Sequence, residues 1–280
     1  MKKIHIFLFS ILSLSNSLFS QEAKINVLHY NNYPFSYIDK DGSYKGIEVD
    51  ILNEFVAWAK KNKSIDFTIT YQAFDDFNKF MEGIKSDANP NTIGLGSLSI
   101  TEERKKQLLF SAPYLKNVSV LITSGNLETI KNIEDATFYF QSAKAVTIKG
   151  SVHEKYLDKL KATYLPGLQI KYVESPKEEL QMLMENPNMI GYVDIISYWS
   201  YLNNNKNNPT IKASKNFLKM QRAANIENEY FAFALPKNSE LKLLLNEFFE
   251  SGFGFTSTKR YQEILETYLG YEVMDAVEIY

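Results

Sequence analysis

The sequence of 280 residues contains no cysteine. Disulfide bonds, cysteine-ligated zinc sites, a cysteine nucleophile and the lipid-bearing cysteine of a bacterial lipoprotein are therefore excluded. Histidine is also scarce, with three residues in the whole chain, so we expect no metal site and no cofactor. The 31 basic and 33 acidic residues nearly cancel, and no basic block stands out. This balance argues against nucleic acid as a partner.

Long apolar runs are missing except near the N-terminus. Lys2 and Lys3 precede an apolar run over residues 4–19 that several serines interrupt, and the small residue Ser20 stands before Gln21. This layout is typical of a secretory signal peptide, because the run is short and polar for a membrane span. We expect residues 1–20 to be removed and the mature protein to be free in the periplasm.

From Ile25 onward, short apolar strand patterns alternate with amphipathic helix patterns. "INVLHY" predicts a strand, and "GIEVDILNEFVAWAKKN" predicts a helix with Ile47, Ile51 and Phe55 on one face. The alternation continues through most of the chain, which predicts an α/β fold with mostly parallel sheets. Sheets of this kind bind ligands at the carboxyl ends of their strands.

Polar groups follow three of these predicted strands at the point where each one ends. They are Ser97, Ser99, Thr101 and Arg104 after "TIGLG", Gly150, Ser151 and Val152 after "AVTIK", and Asp194 after "MIGYV". Each alone has a structural explanation, since Ser, Thr and Asp cap helices and arginine pairs with surface acids. Together they offer amides, hydroxyls and a guanidinium for a carboxylate, and a carboxylate for an ammonium. That set matches the head group of a free α-amino acid.

The chain resembles the family 3 bacterial extracellular solute-binding proteins, which are periplasmic amino-acid-binding components of ABC importers. The most distinctive segments are "YPFSYIDKDGSYKGIEVDIL" and "SITEERKKQLLFSAPY". The resemblance implies a type II periplasmic-binding-protein fold of two α/β lobes, joined by crossing segments near residues 115–119 and 226–231. Lobe 1 would comprise residues 21–116 and 230–280, and lobe 2 would comprise residues 117–229.

The resemblance also implies roles for individual residues. Arg104 falls on the position that binds the ligand carboxylate. Four further residues fall on positions beside that carboxylate: Ser97, Ser99, Ser151 and Val152. Asp194 falls on the amine-binding position, and Phe74 on an aromatic residue that packs over the ligand. A second alignment moves the amine position to Trp199, whose indole cannot accept a proton. Asp194 is therefore the preferred assignment.

The segment "HYNNY" departs from many relatives, which carry an acid or an aromatic residue after the first strand. His29, Asn31, Asn32 and Tyr33 are expected to shape the pocket for the ligand side chain. Because no acid stands in this segment, we predict a preference for a neutral polar or apolar side chain over a cationic one.

The predicted function is capture of a free amino acid, or a similar small zwitterion, by a monomer that delivers it to the membrane permease of an ABC importer. Two alternatives stay open. One is a cyclohexadienyl-dehydratase-like enzyme on the same fold, with Glu48, Glu102 and Glu103 as acids near the predicted site. The other is a ligand-sensing accessory protein of a signalling system. We predict a binding protein without enzymatic activity.

Overall fold

The structure is a computed structural model, and it describes residues 21–204, 210–214 and 229–270. The predicted signal peptide, residues 226–228 of the predicted second crossing segment and the final ten residues of predicted lobe 1 lie outside the described residues. Within the described part, the chain forms two lobes, each built around a five-stranded sheet with helices packed against it.

The strands are numbered in chain order. They are β1 (Gln21–Tyr30), β2 (Tyr37–Ile38), β3 (Tyr44–Lys45), β4 (Ile65–Phe74), β5 (Thr92–Leu95), β6 (Leu109–Phe110), β7 (Leu115–Asn117), β8 (Ser119–Ser124), β9 (Lys144–Ile148), β10 (Gln169–Val173), β11 (Met189–Asp194), β12 (Ile211–Ala213), β13 (Glu229–Phe231) and β14 (Ala234–Leu235).

The α-helices are numbered in the same way. They are α1 (Ile47–Lys63), α2 (Phe77–Ser86), α3 (Glu102–Gln107), α4 (Ala136–Tyr139), α5 (Val152–Thr163), α6 (Pro176–Glu185), α7 (Ile195–Asn204), α8 (Leu241–Glu250) and α9 (Lys259–Leu269). Short 3₁₀ turns at Ile133–Asp135 and Phe255–Ser257 complete the described helical elements. Among the described residues, no helix is both long and apolar enough to cross a bilayer.

Lobe 1 contains the sheet with strand order β4-β1-β5-β14-β6, and lobe 2 contains the sheet with order β10-β9-β11-β8-β12. In each sheet, two strand pairings are parallel and two are antiparallel. Four of the five strands in each sheet therefore run in the same direction, and the prediction of mostly parallel sheets is confirmed. The antiparallel pairings all involve β14 or β8, the strands that follow the two crossings between lobes and so enter their sheets from the other direction.

Two short strands connect the lobes. The chain leaves lobe 1 through β7 and returns through β13, and these strands pair antiparallel, with Glu229 opposite Asn117 and Phe231 opposite Leu115. A hinge of two crossing segments is thus present where the resemblance implied it. The lobe limits given above stay a prediction.

Capping side chains fix where the helices that border the cleft begin. Thr101 caps α3, Ser151 caps α5 and Ser175 caps α6, each accepting a hydrogen bond from the backbone N–H three residues on. Pro176 occupies the first turn of α6, where its missing N–H has no intrahelical partner to lose. These caps place the helix N-termini at the ends of the strands, facing the other lobe.

The apolar cores of the two lobes meet beside the cleft. Ile148, at the end of β9 in lobe 2, packs into a lobe 1 cluster that includes Leu28, Phe77 and Leu98. The hydroxyl of Tyr30 in lobe 1 donates to the backbone oxygen of Glu174 in lobe 2 at 2.7 Å. The lobes are therefore in contact around the cleft.

Candidate functional site

The serine-rich turn after β5 is held by a buried acid. Ser97 has a positive φ of 47°, and its N–H donates to both carboxylate oxygens of Glu48 at 3.1 Å. The Tyr114 hydroxyl donates to the same carboxylate at 2.8 Å. Burial raises the pKa of Glu48 to about 7, although these donors oppose the rise. Glu48 thus holds the turn at Ser97 in its strained conformation. The residue that caps the N-terminus of α3 is Thr101.

Arg104 lies in the first turn of α3, where it reaches toward lobe 2. Its Nη1 donates to the backbone oxygen of Ser99 at 3.0 Å, and its Nη2 lies 3.5 Å from the backbone oxygen of Gly150. The guanidinium sits 5.6 Å from the centre of the Phe77 ring, a cation–π distance. Burial lowers the pKa of Arg104 to about 10, while the charge of Glu229 opposes the shift. The side chain therefore stays charged at neutral pH.

The N-terminus of α5 faces Arg104 from the other lobe. Gly150 precedes it with a φ of +80°, and a Cβ there would lie 2.8 Å from the Asn78 side-chain oxygen, so this position requires glycine. The Ser151 hydroxyl accepts from the Glu154 N–H at 3.1 Å. A helix N-terminus carries unpaired N–H groups and a partial positive charge, which favour an anion.

Asp194 ends β11 directly before α7, on the lobe 2 side. Its Oδ1 accepts a hydrogen bond from Asn117 Nδ2 at 2.6 Å and lies 3.6 Å from Nε2 of His153. The carboxylate therefore has a histidine beside it and an amide from the crossing strand β7.

A second buried acid, Glu229, lies at the start of β13. It accepts hydrogen bonds from Ser119 at 2.6 Å, Tyr156 at 3.0 Å, Asn117 at 3.2 Å and Ser99 at 3.3 Å. These donors come from both lobes and from the crossing strand. Glu229 therefore connects the hinge to both lobes through hydrogen bonds.

His153 bridges the two acids. Because Ser119 donates its hydrogen to Glu229, its oxygen accepts the proton on His153 Nε2, 2.8 Å away. Burial is the largest influence on this imidazole and favours its neutral form, but Asp194, Glu179 and Glu229 together raise the pKa of His153 to about 9.

Within the described residues, His153, Asp194 and Glu229 form the group of histidine and acids compact enough to approach one metal ion, with ligand atoms within 4.8 Å of one another. Their atoms already share hydrogen bonds with Asn117 and Ser119. The prediction that the protein holds no metal stays a prediction.

Two adjacent cavities lie between the lobes. The inner cavity, of about 60 Å³, is bordered by Arg104, Asp194, His153 and the α5 N-terminus. The outer cavity, of about 490 Å³, opens beside Tyr33 and α6. Four residues line both cavities: Asn32, Pro176, Leu180 and Ser197. The space is therefore narrow around the charged groups and wider beyond them.

Most of the predicted site residues meet here. Those that line the inner cavity are Arg104, Asp194, Ser97, Ser99, Ser151, Val152 and Asn32. Asn31 and Tyr33 line the outer cavity. Their predicted contacts with a ligand stay a prediction.

Two predicted residues, His29 and Phe74, line neither cavity. Side chains alternate along a strand, so His29 points away from the face that Tyr30 presents to the cavity. It packs edge-on against Tyr44 at 5.0 Å, and burial lowers its pKa to about 4. Phe74 packs toward Phe80, with ring centres 6.2 Å apart. Phe77, three residues further along the chain, lines the inner cavity together with Tyr30.

Three acidic or basic residues of the site were not predicted: His153, Glu179 and Glu229. His153 directly follows the predicted pair Ser151 and Val152, so the helix start itself pointed to it. Glu179 shares the apolar face of α6 with buried Leu183, and a charge at that register was a readable signal. Glu229 gave no such signal, because only the pairing of β7 with β13 brings it to the cleft.

Glu179 also changes the argument about specificity. The predicted preference for a neutral ligand side chain depended on the absence of an acid in residues 29–33. The structure brings an acid to the same cavity from α6 in the other lobe. Burial raises the pKa of Glu179 to about 8, and the neighbouring charge of His153 opposes the rise.

Comparison with known proteins decides the family. The model of the bacterial extracellular solute-binding proteins, family 3, matches residues 25–271. The chain belongs to this family. The match includes both lobes and the described parts of both crossing strands, so the family relationship concerns the whole two-lobed unit and not one lobe.

Individual relatives are more distant. An arginine-binding periplasmic protein from Mannheimia haemolytica is 27% identical over 146 residues, 52% of this chain and 53% of that protein. The chain thus spans about half the length of this curated relative. A solved structure titled as an ancestral arginine-binding protein bound to arginine has a TM-score of 0.68 at 22% identity, covering 88% of this chain and 98% of that one.

A further solved structure bears on the enzyme alternative. It is an ancestral amino acid-binding protein described as a precursor of cyclohexadienyl dehydratase, with a TM-score of 0.64, 20% identity and coverage of 88% of this family 3 chain and 95% of that chain. At this identity the likeness concerns the fold alone. The curated relative and both of these solved proteins are named as binding proteins.

Proposed function

We propose that this solute-binding protein captures a free amino acid between its lobes and delivers it to the permease of an ABC importer. One observation carries the proposal: Arg104 from lobe 1 and Asp194 from lobe 2 line the same cavity. A zwitterion needs one positive and one negative partner, held a few ångströms apart, and this pair supplies both.

Arg104 binds the ligand carboxylate. A guanidinium offers a planar fork of N–H donors that matches a carboxylate, and its backbone contact with Ser99 fixes the direction of the fork. The N-terminus of α5 adds backbone donors from the opposite lobe. Because donors come from both lobes, a bound carboxylate stabilises the closed arrangement.

Asp194 binds the ligand ammonium. Glu229 lies behind it, joined through Asn117, which donates to both acids. The ammonium competes with His153 for Asp194, since both are cations that need the same carboxylate. Binding therefore displaces the imidazole from this pairing or removes its proton.

The periplasm is the proposed compartment, and the support is the signal-peptide pattern in residues 1–20 together with the periplasmic relative of Mannheimia haemolytica. N-terminal sequencing of exported protein should find a start near Gln21. A retained Met1 would contradict this compartment.

A thermal-shift screen of the twenty amino acids, dipeptides and small organic acids tests the function. A ligand that binds only the folded state raises the melting temperature, and the stabilisation grows with the logarithm of its concentration relative to Kd. We expect at least one free L-amino acid to raise it, and calorimetry to give one site per chain. If no amino acid raises the melting temperature, the proposal is wrong.

We also propose that the bound ligand leaves unchanged. Incubation with prephenate or arogenate, followed by chromatography of the products, separates binding from turnover. Formation of the dehydrated product at a rate that depends on protein concentration would favour the enzyme alternative.

A further inference from the structure

Glu179 carries a buried carboxyl group whose position the packing of the fold does not explain. Its side chain lines the inner cavity from α6, and the residue is 3% exposed. The Oε1 atom has no hydrogen-bond partner. An unpaired acceptor in such a place destabilises the folded chain, so a structural role alone does not explain it.

A second acceptor without a partner lines the same cavity from lobe 1. Asn32 is 6% exposed, and its Oδ1 has no hydrogen-bond partner. Its amide orientation is fixed: the Ser97 hydroxyl donates to the Gly96 oxygen at 2.8 Å, so it must accept from Asn32 Nδ2, 2.7 Å away. The oxygen of Asn32 is therefore the atom left for another donor.

These two acceptors lie where a ligand side chain would pass. Asn32 lines both cavities, and so do Pro176 and Leu180, the neighbours of Glu179 on α6. The head-group partners Arg104 and Asp194 border the inner cavity only. A side chain that leaves the head group toward the wider space passes these two acceptors, one from each lobe.

We propose that Glu179 and Asn32 select a ligand whose side chain carries nitrogen donors, either an amide or a cation. This inference rests on the proposed function. Glu179 determines specificity, because it is the acid that the segment of residues 29–33 lacks.

Both forms of the donor suit the carboxyl group. A primary amide pairs reciprocally with a protonated carboxyl group, giving an N–H and accepting the O–H. A guanidinium or ammonium pairs with the ionised form and releases a proton on binding. His153 and Asp194 are the charged groups that act on Glu179, so protons that these two groups release on binding must be subtracted from the measured total.

Calorimetry with L-arginine, L-glutamine and L-methionine tests the proposal, since these side chains have similar reach and differ in their donors. We expect arginine or glutamine to bind about 10- to 100-fold more tightly than methionine, because methionine leaves both acceptors unpaired. Tightest binding of arginine identifies the cationic form, and tightest binding of glutamine identifies the amide form.

Two variants locate the effect. Glu179→Leu should remove most of the preference over methionine while raising the melting temperature, a combination that a purely structural residue would not give. Glu179→Gln should keep glutamine binding better than arginine binding. Glu178→Gln is the matched control, because the exposed Glu178 side chain accepts from the Glu174 N–H on the outside of the helix.

Two results would overturn the inference. If methionine binds as tightly as the nitrogen donors and Glu179→Leu changes nothing, the inference fails while capture of an amino acid stands. If none of the three amino acids and no other amino acid in the screen binds, the inference and the proposed function fail together.

Discussion

Nε2 of His153 lies 3.6 Å from Oδ1 of Asp194, so the acid assigned to the ligand ammonium already has a basic neighbour. This neighbour is buried and its pKa is raised to about 9. A ligand ammonium must therefore share Asp194 with an imidazolium at neutral pH. The consequence is a link between ligand binding and the proton on His153.

Ligand affinity should rise as the pH increases from about 6 to 8.5. His153 gives up its proton more easily when an ammonium sits beside Asp194, so binding releases protons and approaches a tenfold gain per pH unit if the release is complete. Calorimetry with a neutral amino acid at several pH values measures the slope. His153→Gln should flatten the dependence of affinity on pH. An unchanged slope in this variant would show that His153 is not the group that releases the proton.

Arg104→Ala should weaken amino-acid binding by roughly 30-fold to a few thousand-fold. Removing one side of a buried charge pair costs about 2–5 kcal/mol, and about 1.4 kcal/mol is tenfold in affinity. Arg104→Lys should recover part of the loss, because a lysine cannot form the planar fork. Calorimetric Kd values measure both.

Lys106→Ala provides the control for that experiment, since Lys106 is exposed on the same short helix. It should bind normally, and all three variants should keep a cooperative melting curve. A normal Kd in Arg104→Ala would remove the main support for the carboxylate assignment.

Glu48→Ala should lower stability and ligand affinity together. The variant leaves the Ser97 N–H and the Tyr114 hydroxyl without their acceptor, at roughly 1–3 kcal/mol for each group. It also frees the turn that places Ser99 and Arg104. Urea unfolding measures the first effect and calorimetry the second.

Glu54→Ala is the comparison on the same helix. Glu54 forms a partly exposed ion pair with Arg260 at 2.7 Å, and its loss should stay within about 1 kcal/mol. Equal losses for the two variants would contradict the role of Glu48 in holding the turn at Ser97.

The ligand-free protein should become less stable as the pH rises from about 4.5 to 9. Glu48, Glu179 and His153 have pKa values of about 7, 8 and 9 in the folded chain, above their ordinary values of 4.5, 4.5 and 6.5. Each holds its proton more tightly when folded, so stability is present at low pH and lost as each group ionises or is neutralised. Melting temperatures across this range measure the slope.

Glu179→Gln should reduce that slope between about pH 4.5 and 8, since glutamine does not titrate. Each unit of pKa shift between the folded and unfolded chain corresponds to about 1.4 kcal/mol in the free energy of unfolding. A melting temperature that rises steadily with pH would contradict the direction of all three shifts.

The sequence by itself determined the α/β class and the polar residues that follow the strands, and the resemblance to a family supplied the two lobes. Strand and helix periods are local, and polar residues that follow strands, such as Arg104 in lobe 1 and Asp194 in lobe 2, lie near the carboxyl edge of their own sheet. The helix start at Ser151 was equally local, because a cap depends on the residue and the next turn.

Only the tertiary structure decided which side chains of those segments face the ligand. His29 and Tyr30 are adjacent in sequence, yet strand alternation sends one into the core and the other to the cavity. Glu229 reaches the cleft because the crossing strands pair. Glu179 could be read from its place on the apolar face of α6, but it shares a cavity with Asn32 of lobe 1 only because the lobes pack together. Such contacts depend on the relative position of whole elements, and no local pattern encodes them.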